Sequence, residues 1–307
     1  MTLFQLLNEG SLILQQAGDP DPQQDARMLL LAAFQLDMVH YLLKRMEPLA
    51  DDEVNRSGTG LYWEMIEKRR RRCPLQQILG SQEFMGLTFY VNNHVLIPRQ
   101  DTESLVELVL AEQPDPALKL LDLCTGSGCI AISLMVKGGY QAVTATDISP
   151  DALAVARQNG EALCSGRPGL QFLQGDLFAA LAGLGPEERT FDVITANPPY
   201  IPTAVLRTLE PEVKDHEPLL ALDGDTDGLH CYRRIAAEAR QYMGDGAAIY
   251  LEIGYDQGPA VSELFWQQGY GEVRVSQDLA GNDRIVSAVS RCSNYDVIKN
   301  TREVPHV

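Results

Sequence analysis

The sequence predicts a small N-terminal helical bundle, a β-hairpin and then a doubly wound, mostly parallel α/β sheet, and three observations carry that prediction. Residues 1 to about 73 hold apolar side chains at i, i+3, i+4 and i+7; aromatic and β-branched residues crowd positions 84–98; from about 102 to 290 short apolar runs alternate with helical stretches. The last pattern is that of a sheet with helices on both faces.

Taking the elements in order, Leu3, Leu6 and Leu7, then Ala26, Leu29, Leu30, Ala33 and Phe34, draw the stripes of amphipathic helices, broken by Gly18-Asp19-Pro20-Asp21-Pro22 and by Glu47-Pro48. Extended runs at 84–91 and 95–98 flank Asn92-Asn93, which predicts a hairpin turning on the two asparagines. Strands are expected at 119–123, 142–146, 191–196, 247–253, 272–275 and 284–289. The boundaries follow: a helical domain at 1–75, a hairpin linker at 76–101, an α/β domain at 102–290 and a loose tail at 291–307 without apolar period.

Composition limits what such a chain can do. Its 307 residues are 45% hydrophobic and 22% charged, enough for one large core plus a small one. No stretch approaches the ~18 to 20 apolar residues of a membrane span, and residues 1–10 lack the features of a secretory signal. A cytoplasmic protein with no membrane association is expected. Cys73, Cys124, Cys129, Cys164, Cys231 and Cys292 form no Cys-x-x-Cys pair, so reduced, buried thiols are expected and neither a disulfide framework nor a metal site.

A net charge of -17 sets the surface against a phosphate backbone, so no direct nucleic-acid partner is expected. The local exception is Lys68-Arg69-Arg70-Arg71-Arg72. It reads first as a solvated helix end whose cations favour the C-terminal dipole, and second as a docking patch.

The chemistry concentrates in three places. The strand at 119–123 runs into Cys124-Thr125-Gly126-Ser127-Gly128 and an apolar helix start, so that glycines allow close approach of a ligand to free backbone N–H groups. The next strand ends at Asp147, 19 positions after Gly128, where a carboxylate can accept both hydroxyls of a ribose. A nicotinamide dinucleotide and S-adenosylmethionine both carry that ribose, and these two elements do not separate them.

Asn197-Pro198-Pro199-Tyr200 does separate them. An amide side chain, two residues without N–H groups and a ring end a buried strand, offering acceptors and a flat surface to a planar NH2 group. If that strand lies beside the one at 119–123, both loops face one crevice. Hydride transfer has no evident use for such a block. His94 and His216 read as structural or surface residues, and no catalytic histidine is assigned.

With these motifs the chain resembles the class I S-adenosylmethionine-dependent methyltransferases acting on amide or exocyclic nitrogens. Pro74 to Gly80, Glu83 to Leu87, Ile97 to Glu103, Glu217-Pro218, Leu222-Asp223-Gly224, Asp227-Gly228-Leu229 and Leu251-Glu252-Ile253-Gly254 narrow the resemblance to the release factor glutamine methyltransferases, over about residues 20 to 290. The resemblance implies a seven-stranded sheet, an N-terminal substrate-recognition domain, and a monomer. It also implies methyl transfer from S-adenosyl-L-methionine to the glutamine nitrogen of the Gly-Gly-Gln loop of peptide chain release factors, leaving S-adenosyl-L-homocysteine.

Carried over position by position, Asn197, Pro198 and Tyr200 resemble the catalytic residues, with Pro199 completing the substrate site. Cys124, Thr125, Gly126, Ser127 and Gly128 resemble the cofactor loop, Asp147 the ribose acceptor, and Asp176 and Leu177 the adenine site. Relatives often have an aromatic residue where Leu177 stands, which leaves Phe178 as the neighbouring ring for stacking. Glu103 resembles a carboxylate meeting the methionine end of the cofactor. DNA adenine methyltransferases also use an Asn/Asp-Pro-Pro-Tyr block, but the acidic charge argues against a basic cleft. A glutamine methyltransferase of a large-subunit ribosomal protein shares block and fold, and Pro98-Arg99-Gln100-Asp101-Thr102-Glu103 favours the release-factor branch. A non-catalytic adaptor would have lost parts of the two loops, and both are intact.

Overall fold

The computed structural model describes residues 1–165 and 167–290; the tail expected at 291–307 lies outside them. The described chain divides into two compact units, the first comprising 1–82, 91–93 and 208–217, the second the remainder.

In the first unit α1 (Leu3–Gln16), α2 (Pro22–Phe34), α3 (Met38–Lys44), α4 (Glu53–Arg70) and α5 (Leu75–Leu79) follow one another. A capping box starts α1: the Gln5 N–H donates to Thr2 Oγ1 at 3.2 Å and the Thr2 N–H to Gln5 Oε1 at 2.8 Å. Leu3, Leu6, Leu7, Ala26, Leu29, Leu30 and Ala33 are buried with Tyr62 and Ile66, as their spacing predicts.

The basic run departs from its expected reading. Arg70 and Arg71 are exposed and pair with Glu67 at 2.6 and 2.8 Å, as a solvated helix end should. Arg69 is buried, with its guanidinium on Asp19 at 2.8 Å, Asp25 at 2.6 Å and Glu212 at 2.9 Å, while Arg72 meets Glu212 at 2.7 Å. The reason is helical phase: Arg69 continues the face of Tyr62 and Ile66, and burial of its charge is tolerable only because carboxylates surround it. Glu212 comes from the segment 208–217, which spacing alone assigns to the α/β region.

β1 (Ser81–Phe84), which begins in the last residues of the first unit's opening stretch, and β2 (Leu87–Tyr90) form the hairpin. Its turn is Met85-Gly86, with φ of 53° and 66°, and not Asn92-Asn93 as predicted. A two-residue turn with both residues left-handed matches strand twist, and Gly86 accepts that conformation freely. The chain continues through α6 (Gln100–Glu112), β3 (Lys119–Leu123), α7 (Cys129–Ser133), β4 (Ala142–Asp147), α8 (Pro150–Leu163), β5 (Leu170–Gln174) and β6 (Phe191–Ala196). It closes with α9 (Pro211–Lys214, within the segment 208–217), α10 (His230–Glu238), β7 (Met243–Glu252), α11 (Gly258–Gln267), β8 (Gly271–Gln277) and β9 (Asp283–Val289).

Seven strands build one sheet in the order β5-β4-β3-β6-β7-β9-β8, parallel except for β9, which runs antiparallel between β7 and β8. Periodicity finds six of them; the resemblance supplies the count of seven. The missing one is β5, an edge strand whose side chains are half-buried or exposed, so it has no continuous apolar run. Tyr232 and Ile235 of α10 and Val261 and Phe265 of α11 cover one face; Leu105, Val106 and Val109 of α6 and Ile130 and Ile132 of α7 cover the other. Among the described residues no single helix is long and apolar enough to cross a membrane.

Candidate active site

The strand order fixes where a ligand can lie. β3 pairs with β4 on one side and β6 on the other, with Leu123 opposite Ala196, so the next residues, Cys124 and Asn197, open two loops side by side. Crevices in open α/β sheets form where the strand order reverses in this way. A cavity of about 290 Å³ lies there, lined by Thr102, Thr125, Gly126, Asp147, Leu177 and Asn197 among others.

Cys124, Gly126 and Gly128 have φ of 56°, 55° and 82°. The loop they form is held at each turn: the Thr125 N–H donates to the Thr146 carbonyl at 2.9 Å, and the Gly126 N–H to Asp147 Oδ2 at 2.8 Å. A Cβ on Gly126 would meet nothing within 4 Å, so the loop presents open space to the cavity. A Cβ on Gly128 would stand 2.9 Å from Ile132 and 3.4 Å from Ala156, so this glycine, outside the lining, lets α7 and α8 close up.

Beneath the loop Asp122 is fully buried and accepts the Thr125 hydroxyl at 2.6 Å and the Thr195 hydroxyl at 2.8 Å, tying the loop to the neighbouring strand. Burial pushes its carboxyl up to about 7. Asp147 accepts two backbone donors, Gly126 through Oδ2 and Ser149 through Oδ1 at 2.9 Å, and burial again raises its carboxyl above the ordinary range.

Ile148, 46% exposed, and Leu177 both line the cavity as apolar walls. Phe178 does not: it stacks on Tyr242 at 4.7 Å and 8° within the core, which corrects the expectation that it could face an adenine. The side chains alternate across the turn, and Leu177 takes the cavity side with a φ of 49°. Asp176 pairs with Arg234 of α10 at 2.9 Å.

The block after β6 is braced from behind. Ile201 exchanges backbone hydrogen bonds with Leu222 and Gly224 at 3.0 and 2.8 Å. A Cβ on Gly224 would stand 2.9 Å from the Pro199 carbonyl, and one on Gly228, whose φ is 75°, would run into the Tyr200 carbonyl. That carbonyl accepts Gln257 Nε2 at 3.0 Å. The glycines of Leu222-Asp223-Gly224 and Asp227-Gly228-Leu229 are thus spacers for the Pro199-Tyr200 backbone.

Asn197 and Pro199 line the cavity; between and beside them Pro198 is buried and Tyr200 half-buried, and burial pushes the Tyr200 hydroxyl up to about 12. Glu103 is placed otherwise than expected: its carboxylate accepts the Met85 N–H at 2.5 Å, while Arg99 and Thr102 of the same segment line the cavity. His94 and His230 also line it, about half exposed. Cys124 and Cys231 are partly exposed lining residues, not buried as expected.

Ile148, Arg234, Glu252 and Gln257 carry no role assigned from sequence, and Thr102 only that of its segment, Asp101-Thr102-Glu103, which resembles the one closing over the methionine end of the cofactor. Glu252 had one signal: a carboxylate ending the uninterrupted apolar run 247–251. It is 2% exposed, and burial pushes it up to about 7.

This strand order, the glycine loop and the acidic end of β4 define the class I S-adenosylmethionine-dependent methyltransferases. Residues 120–216 match the family described as a methyltransferase domain and residues 5–80 that described as the PrmC N-terminal domain. A methyltransferase from Pyrococcus furiosus shares the fold, with a TM-score of 0.50 at 18% identity over 74% of this chain and 99% of its own. The release factor glutamine methyltransferase of Moorella thermoacetica is 44% identical over 294 residues, 95% of this chain and 99% of that protein. That of Geobacter sulfurreducens is 39% identical over 89% and 91%. The chain belongs to the release factor glutamine methyltransferase family.

Proposed function

We propose that this protein transfers the methyl group of S-adenosylmethionine to the side-chain amide nitrogen of the glutamine in the Gly-Gly-Gln loop of peptide chain release factors. The observation that carries the reading is the juxtaposition, at the β3/β6 switch, of an Asn-Pro-Pro-Tyr block with a glycine loop tied to Asp147. The cofactor fits the residues present: open backbone at Gly126, a carboxylate at Asp147 for ribose hydroxyls, and apolar walls at Ile148 and Leu177 for a base. When bound, it supplies a methyl group already activated on a sulfonium.

The chain's own residues then have to orient a poor nucleophile, since an amide lone pair is delocalised into its carbonyl. Asn197 Oδ1 and the Pro198 carbonyl accept the two N–H bonds of the glutamine, holding the nitrogen toward the cavity. Tyr200 offers its ring to the flat amide. Neither residue needs to take a proton before attack, because the proton leaves after the nitrogen has become cationic. His94 and His230, at the exposed side of the cavity, are therefore given no proton-transfer role.

Purified protein incubated with release factor and labelled S-adenosylmethionine should place one methyl group on that glutamine, read by mass spectrometry of its peptide. Asn197→Ala should lower the rate about 100- to 1,000-fold, the usual cost of removing one preorganised polar group, with cofactor binding retained. Label on DNA, or on a ribosomal protein in preference to release factors, would overturn the substrate.

A further inference from the structure

We infer that Glu252 is the positioning residue that turns the Asn197 side chain so that its oxygen, and not its NH2 group, faces the cavity. The inference rests on the proposed reading of Asn197 and assigns what makes it an acceptor. β6 and β7 run parallel with Ala196 opposite Leu251, so the next pair in register is Asn197 and Glu252. The five strand residues before Glu252, Ala247 to Leu251, are buried, and an apolar residue would end the strand without any desolvation cost. A carboxylate 2% exposed needs a reason.

Its surroundings supply one. The Asn197 amide and the Thr102 hydroxyl both act on the Glu252 carboxylate in the direction that favours its charged form, and Asn197 Nδ2 donates to Thr102 Oγ1 at 3.4 Å. In its ionised form Glu252 offers only acceptors, and with Thr102 Oγ1 already accepting from Nδ2 it favours the Asn197 orientation that turns the NH2 group toward both. That leaves Oδ1 as the one Asn197 group free for a ligand. An unrestrained asparagine can turn over, and then presents donors to a substrate NH2 group that is itself a donor. Among the described residues Glu252 Oε2 has no hydrogen-bond partner, so the carboxylate is not consumed by a structural network of its own. Arg284, the cation that acts on Glu252 through its charge, is itself held by Asp278 at 3.1 Å and Asp101 at 3.2 Å.

The test transposes donor and acceptor. Glu252→Gln keeps the shape but lets an NH2 group face Asn197; kcat should fall about 100-fold, as expected of a misaligned reactive group, with the Kd for S-adenosylhomocysteine unchanged within about twofold. Adding Asn197→Asp restores an acceptor toward the cavity and a donor–acceptor match behind it. The double variant should recover at least about tenfold over Glu252→Gln, whereas a purely structural Glu252 predicts further loss. A second readout needs no substrate. In 15N-labelled protein the Asn197 side-chain NH2 signals, identified by their loss in Asn197→Asp, should exchange slowly with solvent and exchange faster in Glu252→Gln. Wild-type exchange already fast, a kcat for Glu252→Gln within about threefold of wild type, or a double variant no better than Glu252→Gln would overturn the inference. Absence of methylation by the wild type would instead strike the proposed substrate, leaving the exchange result to decide on Glu252.

Discussion

Asp147→Asn tests the ribose reading with a magnitude that follows from the geometry. Both carboxylate oxygens of Asp147 already accept backbone donors, Gly126 at 2.8 Å and Ser149 at 2.9 Å, and each retains a lone pair for a ribose hydroxyl. An asparagine there must turn its NH2 group toward one of those backbone donors and loses one acceptor for the sugar. A hydrogen bond to a charged group contributes about 1.5 to 3 kcal/mol, which converts to a loss of about 10- to 150-fold in affinity for S-adenosylhomocysteine. Titration calorimetry measures it, with the 2′- and 3′-deoxy analogues as controls. Removing a hydroxyl from the ligand should weaken binding to the wild type by a similar factor and weaken binding to the variant less. Unchanged affinity in Asp147→Asn, or an equal penalty for the deoxy analogues in both proteins, refutes the ribose role.

Two further outcomes follow from buried features. Gly228→Ala forces a side chain into a left-handed position against the Tyr200 carbonyl, so stability should fall by at least about 2 kcal/mol, seen as a Tm lower by about 4 to 8 °C, and methyl transfer should fall more than cofactor affinity. Glu252 and Asp122 are both pushed up to about 7 by burial, so the folded protein holds their protons more tightly than the unfolded chain. The stability this contributes is present below about pH 4 and lost as pH rises to about 7, on the order of 3 kcal/mol for Glu252. Glu252→Gln should therefore flatten the decline in Tm between pH 4.5 and 7; an unchanged slope would refute the assignment.

What could be seen in the sequence divides along a physical line. Leu3, Leu6, Leu7 and the Ala26 to Ala33 stripe are legible because each helix buries one face of its own period. Cys124 to Gly128 and Asn197 to Tyr200 are legible because their chemistry lies in contiguous residues. β5 escapes because an edge strand need not be apolar, and the hairpin turn is misplaced because two asparagines mimic the left-handed preference that Met85-Gly86 satisfies. Thr102, Glu252 and Gln257 meet the Asn197 to Tyr200 block from separate places in the chain: strand register sets Glu252 beside Asn197, and the packing of helix starts, which no local pattern states, brings Thr102 and Gln257 there. Arg69 is hidden within a run of five cations that composition reads alike, although its helical phase sets it apart.

The segment 208–217 has a consequence for how this chain can be taken apart. Because it and residues 91–93 belong to the first unit, the polypeptide passes between the two units five times, at 82/83, 90/91, 93/94, 207/208 and 217/218. No single cut frees either one. A fragment ending near residue 75 keeps Arg69 with Asp19 and Asp25 but forfeits Glu212, and a fragment starting near 102 carries Glu212 with neither arginine it binds. The two units are interleaved along the gene and not strung in tandem, so recombination between relatives should tolerate exchange of the whole chain far better than exchange of its halves.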